Sequence, residues 1–166
     1  MHPEAYEGFG EMLYAAEVDR AAPLTVLDLG GQNVNGTVHE WFTHPDTEIV
    51  TLDLENADIV ADATDWTPDR EYDVVISTEV FEHVEHWPRI AATAFQALGT
   101  GGVFVATCAS TNRPPHGATG DPAPVAGEWY SNVEPAQLQF VLEQLFAHAE
   151  VVYKYPPGDA YMWARR

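Results

Sequence analysis

The residues best suited to chemistry begin at Asp28-Leu29-Gly30-Gly31-Gln32-Asn33, an acid and two glycines closing a short apolar run. In an open α/β sheet the end of the first strand faces the ligand crevice. Glycines there let a ligand approach the backbone, and a following helix offers free N–H groups to an anion. Asp53 closes the next apolar run, where a carboxylate can accept both hydroxyls of a ribose. The pair implies a ligand that contains a nucleoside. Gln32 stands where a dinucleotide-binding loop needs its second glycine, which disfavours an NAD-dependent oxidoreductase. A second constellation is Glu79-x-x-Glu82-His83, three potential metal ligands within about one turn, with His116 expected to enter from a later loop at the same end of the sheet. Two carboxylates and two imidazoles suit magnesium, manganese or zinc, the last two more because of the nitrogens. The spacing equally suits two solvated acids on one helix face, and a histidine in such a turn that only hydrogen-bonds the backbone.

These residues need elements to hold them. From Leu24 onward strand-like and helix-like periods alternate, the pattern of a parallel sheet with crossover helices. Tyr6, Phe9, Leu13 and Ala16 predict an amphipathic helix over 3–19 laid against the sheet. Apolar runs predict strands at 24–29, 48–53, 58–61, 72–77 and 103–108. Helices are predicted just after Gly31, carrying Val38, Trp41 and Phe42, and over about 87–98, with His86 at its start and a turn at 99–102 behind it. Pro135 opens a last helix with Leu138, Val141, Leu142 and Leu145 on one face. Two antiparallel strands, 149–155 and 159–165, then meet across Pro156-Pro157-Gly158. Residues 109–134 hold prolines and glycines without any period, as a lid or binding loop does.

With the elements in place, the motifs resemble those of class I S-adenosylmethionine-dependent methyltransferases, in a small-molecule, type-11-like branch. Val26-Leu27-Asp28-Leu29-Gly30-Gly31 is similar to the first motif of that family, Thr51-Leu52-Asp53-Leu54 to the second and Ala61-Asp62-Ala63 to the third. Tyr72 to Val84, ending Glu-Val-Phe-Glu-His-Val, is similar to the fourth and is the most specific block. Asn33-Val34-Asn35-Gly36 and Trp129-Tyr130-Ser131-Asn132-Val133 point to the same branch, whereas Gln32 departs from it by replacing a glycine. The resemblance implies a seven-stranded, doubly wound, mostly parallel sheet with an antiparallel C-terminal hairpin, forming one domain over 1–166. It implies methyl transfer to a small-molecule acceptor, with oxygen as the acceptor atom.

The same resemblance distributes the cofactor. Asp28, Gly30, Gly31 and Gln32 meet its methionine part and Asp53 its ribose. Leu54 packs on adenine, Asp62 and the Ala63 N–H read the adenine edge, and Thr78 and Glu79 close the site near the transferred methyl. The bland alternative for Asp62 is a turn carboxylate. If the acceptor loses a proton, His83, His116 or Glu79 can take it. Some relatives with a Glu-x-x-Glu-His pattern hold a metal there, which would make Glu79, Glu82, His83 and His116 its ligands, whereas in metal-free relatives Glu82 and His83 of this block only cap and orient the turn. Trp129 and Tyr130 suit packing under the lid as well as substrate stacking. A non-catalytic cofactor-binding subunit is the alternative, because little chain is left to build a substrate site.

Composition bounds the rest. Among 166 residues, 46% are apolar and 20% charged, an ordinary globular balance, with no apolar run long enough to span a membrane and no leader-like start. A cytoplasmic protein is expected. Twenty-six acids against seven Lys and Arg give a net charge of −19, so a nucleic-acid partner is disfavoured. Cys108, the only cysteine, sits in an apolar run and reads as a buried strand thiol.

Overall fold

The computed structural model describes residues 2–166. Seven strands, β1 (Thr25–Leu29), β2 (Glu48–Asp53), β3 (Ile59–Val60), β4 (Tyr72–Thr78), β5 (Leu98–Ala109), β6 (His148–Lys154) and β7 (Asp159–Arg165), form one sheet in the order β3-β2-β1-β4-β5-β7-β6. The first five strands pair in parallel, and β7 runs antiparallel between β5 and β6. Strand order reverses between β1 and β4, so a crevice opens beyond their carboxyl ends, at Gly30 and Glu79.

Both faces of the sheet are covered, as parallel strands require. Along β5, Val103 and Val105 point into one apolar layer while Phe104, Ala106 and Cys108 point into the other, the period of two that a strand imposes. Helix α1 (Pro3–Ala15) covers the first face with Phe9, Met12 and Leu13. Helices α2 (Trp87–Ala97) and α3 (Pro135–Leu145) cover the second with Ile90, Ala94, Leu138 and Leu142. Each fully buried Leu, Ile, Phe or Met among these stabilises the fold by roughly 1.5–3 kcal/mol.

Three expectations need correction. Helix α1 ends at Ala15 rather than residue 19, because the chain reverses through Glu17 at φ 55°. The turn expected at 99–102 is an irregularity inside β5, where pairing jumps from Tyr72–Leu98 to Val74–Val103. The helix expected after Gly31 is absent. Between β1 and β2 the only helical element is a 3-10 turn at His39–Trp41. Asn33, Asn35, Gly36 and the β-branched pair Thr37-Val38 favour turns over helix. The apolar spacing there still reports burial, since Val38 and Phe42 are 0% and 8% exposed. One turn suffices to deliver them to the core.

Candidate active site

Beyond β1 and β4 lie two adjoining cavities of about 570 and 530 Å³, which share Gly30, Gln32, Val34, His83 and Ala118. The smaller is lined by Asp53, Leu54, Asp62 and Ala63 together with the apolar Val80 and Ile90. Asp53 is held by two backbone donors, the Leu54 N–H on Oδ1 at 2.7 Å and the Gln32 N–H on Oδ2 at 3.0 Å. Asp62 Oδ1 accepts from both the N–H and the hydroxyl of Thr64, at 2.8 and 2.7 Å. Leu54 is 68% exposed beside this cavity, an apolar side chain with nothing over it. Gly30 and Gly31 donate their N–H groups to Leu52 O. At Gly30, with φ 81°, an added Cβ would lie 2.3 Å from Val80 Cγ2, so the tight approach of this loop to the segment after β4 requires glycine.

Asp28 lies at the other side of this loop. It is 4% exposed, and His39 Nε2 donates to its Oδ2 at 2.7 Å while Oδ1 has no hydrogen-bond partner. Burial pushes the Asp28 carboxyl up, and the hydrogen bond and charge of His39 pull against that.

The larger cavity reaches from Asp28 past Glu79 to the 113–122 segment. Glu79 has φ 57°, a strained conformation for a non-glycine residue, and this turns its side chain toward β5 and the N-terminus. Its Oε1 accepts from the Thr107 hydroxyl at 3.0 Å and its Oε2 lies 3.4 Å from His2 Nε2. His2 Nε2 is also 3.0 Å from the buried Asp159, which Arg113 Nη1 reaches at 2.9 Å. The Asp159 and Glu79 carboxylates push His2 up to about 10. For Glu79 the rise that burial causes is outweighed by His2 and Arg113, and its carboxyl lies below the usual range.

Where the two cavities meet stands a second cluster. Glu82 is fully buried and neither of its carboxylate oxygens has a hydrogen-bond partner among the described residues. The buried Nδ1 of His83 has none either. His116 Nε2 is 3.7 Å from Glu82 Oε1, and one donor atom of each of Glu82, His83 and His116 lies within 4.8 Å of the others. Tyr130 packs edge-on to both imidazoles, with ring centroids 5.3 and 5.1 Å away. Burial, then the charge of Glu79, pushes Glu82 up. Burial, then His116, holds His83 down at about 4, and Glu82 raises His116. At neutral pH His83 therefore carries a free lone pair.

Residues 6–146 match the family model described as a methyltransferase domain. The chain belongs to that methyltransferase family. The methyltransferase is 28% identical over 175 aligned positions to trans-aconitate 2-methyltransferase of Methylobacterium radiotolerans, covering 87% of this chain and 67% of the relative. It shares its fold with 1,6-didemethyltoxoflavin-N1-methyltransferase of Burkholderia thailandensis, solved with S-adenosylhomocysteine, at TM-score 0.67 and 15% identity, over 98% of this chain and 78% of that one. An S-adenosylmethionine-dependent methyltransferase from Archaeoglobus fulgidus gives TM-score 0.65 and 14% identity over 97% and 94% of the two chains. The protein is an S-adenosylmethionine-dependent methyltransferase with the seven-stranded fold expected of that class. Among the described residues no helix is long and apolar enough to cross a membrane.

Within this methyltransferase the residues expected to meet the ribose and adenine, Asp53, Leu54, Asp62 and Ala63, all line the smaller cavity, and Asp28, Gly31, Thr78 and Glu79 line the larger. Gly30 and Gln32 line both. Asp62 serves as a turn carboxylate, accepting from the Thr64 N–H and hydroxyl. The four expected metal ligands do not converge. Glu79 leaves the set because its backbone conformation aims it at His2, while Glu82, His83 and His116 remain together. The helix N-terminus expected to offer its N–H groups to an anion does not exist, since no α-helix lies between β1 and β2. His83 does not bond the backbone through its ring. Trp129 is 46% exposed, whereas Tyr130 joins the histidines. His39, His2, Arg113 and Asp159 were not legible as site residues. Arg113 and His2 meet across 111 positions, and no local pattern carries such a pairing.

Proposed function

We propose that the chain is one methyltransferase domain that transfers a methyl group to an oxygen of a small-molecule acceptor, with residues 109–134 as a lid. The observation that carries this reading is the junction: the nucleoside-sized cavity opens onto a second, polar cavity at Gly30 and His83, which line both. Bound S-adenosylmethionine supplies a methyl carbon already activated by its sulfonium, so alignment and a dry site account for most of the catalysis. Asp53 accepts the ribose hydroxyls, Leu54 covers adenine, and Asp62 with the Ala63 N–H reads the adenine edge. Gly30 and Gly31 let the methionine part pass close to the backbone. The acceptor occupies the larger cavity, between the Arg113–Asp159 pair and the Glu82–His83–His116 cluster. Arg113 is the one Lys or Arg lining either cavity, and its Nη1 alone is engaged, which suits an acceptor bearing a carboxylate. The substrate named for the trans-aconitate relative is of that class.

Glu82, His83 and His116 fit a divalent cation, because the Glu82 oxygens and His83 Nδ1 are buried without partners and His83 is neutral. A cation held there would position an acceptor oxygen and lower the pKa of its hydroxyl. With no cation bound, His116, raised by Glu82 and reached by the Tyr130 hydroxyl at 3.4 Å, is instead the group to hold a proton that leaves the acceptor. The test is calorimetry with S-adenosylmethionine and S-adenosylhomocysteine, followed by turnover with hydroxy acids and carboxylic acids before and after exhaustive chelation. Binding of neither cofactor would overturn the whole reading. Turnover of amines alone would overturn the oxygen acceptor.

A further inference from the structure

The loop after β1 does a helix's work without being a helix. In this chain residues 31–38 contain no helical turn, yet Gly31, Gln32, Asn35 and Thr37 line the larger cavity. A loop of this length has many conformations to lose, and a ligand that must order it binds correspondingly less well. Its two ends are joined by one strong contact. His39, just beyond the loop, donates from Nε2 to Oδ2 of Asp28, just before it, at 2.7 Å and eleven residues away. The pair is shielded from water, with the His39 side chain 27% and that of Asp28 5% exposed, so it is screened far less than a surface contact. Smaller bonds continue the same ordering: the His39 N–H donates to Thr37 Oγ1 at 2.9 Å and the Gly36 N–H to Asn33 Oδ1 at 3.0 Å.

The second observation is the state of Asp28. Its Oδ1 is buried and without a partner, although the residue lines the larger cavity together with Gly30 and Gly31. An unpaired buried carboxylate oxygen is costly unless something answers it. Among the groups of the cofactor, the ammonium of its methionine part has the charge and the donors to do so.

We propose that His39 is a positioning residue for the amino-acid half of S-adenosylmethionine: it clamps the 30–38 loop back onto β1 and turns the free oxygen of Asp28 toward the ammonium. The proposal rests on the cofactor reading above. His39 touches the cofactor only through Asp28, so its removal selectively weakens ligands that carry the amino acid.

The experiment compares three ligands by calorimetry on the full chain: S-adenosylmethionine, S-adenosylhomocysteine and 5′-methylthioadenosine, which keeps the adenosine and thioether but lacks the amino acid. In His39→Ala the first two weaken by about tenfold or more, the loss of one hydrogen bond to a charged group, while 5′-methylthioadenosine stays within about twofold. His39→Gln, whose amide nitrogen can reach the position of Nε2, recovers most of the loss. Equal weakening of all three ligands would show a merely structural residue, and unchanged S-adenosylhomocysteine affinity would show no role at all; either result overturns the proposal. If the unaltered protein binds 5′-methylthioadenosine but no ligand carrying the amino acid, this proposal fails while the nucleoside site stands. If it binds none of the three, the cofactor reading itself fails.

Discussion

Replacing Asp53 by alanine removes a carboxylate that already does two structural jobs and is free to do a third. Its oxygens accept the Leu54 and Gln32 N–H groups at 2.7 and 3.0 Å, and each oxygen, with one donor taken, retains acceptor capacity in a residue that lines the smaller cavity. Hydrogen bonds to a charged group contribute roughly 1.5–3 kcal/mol each. Two ribose hydroxyls would therefore lose up to about 3–6 kcal/mol, but water re-enters a partly exposed site and returns some of it, leaving about 2–3 kcal/mol. That corresponds to S-adenosylhomocysteine binding about 30- to 140-fold more weakly. Asp53→Asn should fall between, since its amide oxygen still accepts one bond while its NH₂ faces a backbone donor. Asp62→Ala is the internal comparison: Oδ1 there is taken up by Thr64, so the loss should be smaller, about fivefold. Calorimetry on variants whose far-UV spectrum and thermal transition match the parent measures all three. A folded Asp53→Ala protein within about threefold of the parent, or an Asp62→Ala loss larger than that of Asp53→Ala, would refute the reasoning.

Gly30→Ala places a methyl group 2.3 Å from Val80 Cγ2 at φ 81° and should destabilise by about 2–4 kcal/mol in urea unfolding, with cofactor binding lost. His2, pushed up to about 10, contributes stability that is fully present below pH 6.5 and is lost as pH rises toward 10. The parent should therefore lose about 1–3 kcal/mol more than His2→Ala between those limits, measured by urea titration at each pH. A metal at Glu82, His83 and His116 should appear near one equivalent in elemental analysis and fall sharply in Glu82→Gln, and its absence from the purified, active protein would remove that site. In the 109–134 segment the base is tied down, Ser110 donating its hydroxyl to Val133 O at 2.7 Å. Hydrogen exchange on adding S-adenosylhomocysteine should thus slow around 117–128 and leave the base unchanged, while uniform exchange would argue against a lid.

Much of the architecture was legible because it depends on local periods. Alternating apolar runs located β1, β2 and β4 to within a residue or so, and Pro135 with Leu138 and Leu142 marked α3 to its first residue. Strand-end residues such as Gly30, Asp53 and Glu79 inherit their place in the crevice from strand direction alone, so a one-dimensional pattern suffices to put them at the site. A single turn of apolar residues does not distinguish a helix from a buried loop. Val38 and Phe42 read as helical and reached the core without one.

Tertiary structure decided how the acids and histidines were sorted. Glu79 and Glu82 are three residues apart and read as one ligand set, yet a positive φ at Glu79 sends its carboxylate to His2 and leaves Glu82 among imidazoles. The same holds for partners that arrive from far along the chain. His2, Arg113 and Asp159 meet only because α1 lies over β7 and the loop after β5 folds back on it, and the Asp28–His39 clamp exists only because no helix fills the loop between them. Residue type and spacing determine which groups are available for chemistry. Which of them share a site is set by backbone angles and long-range packing, whose energies are sums over neighbours that no local stretch of sequence contains.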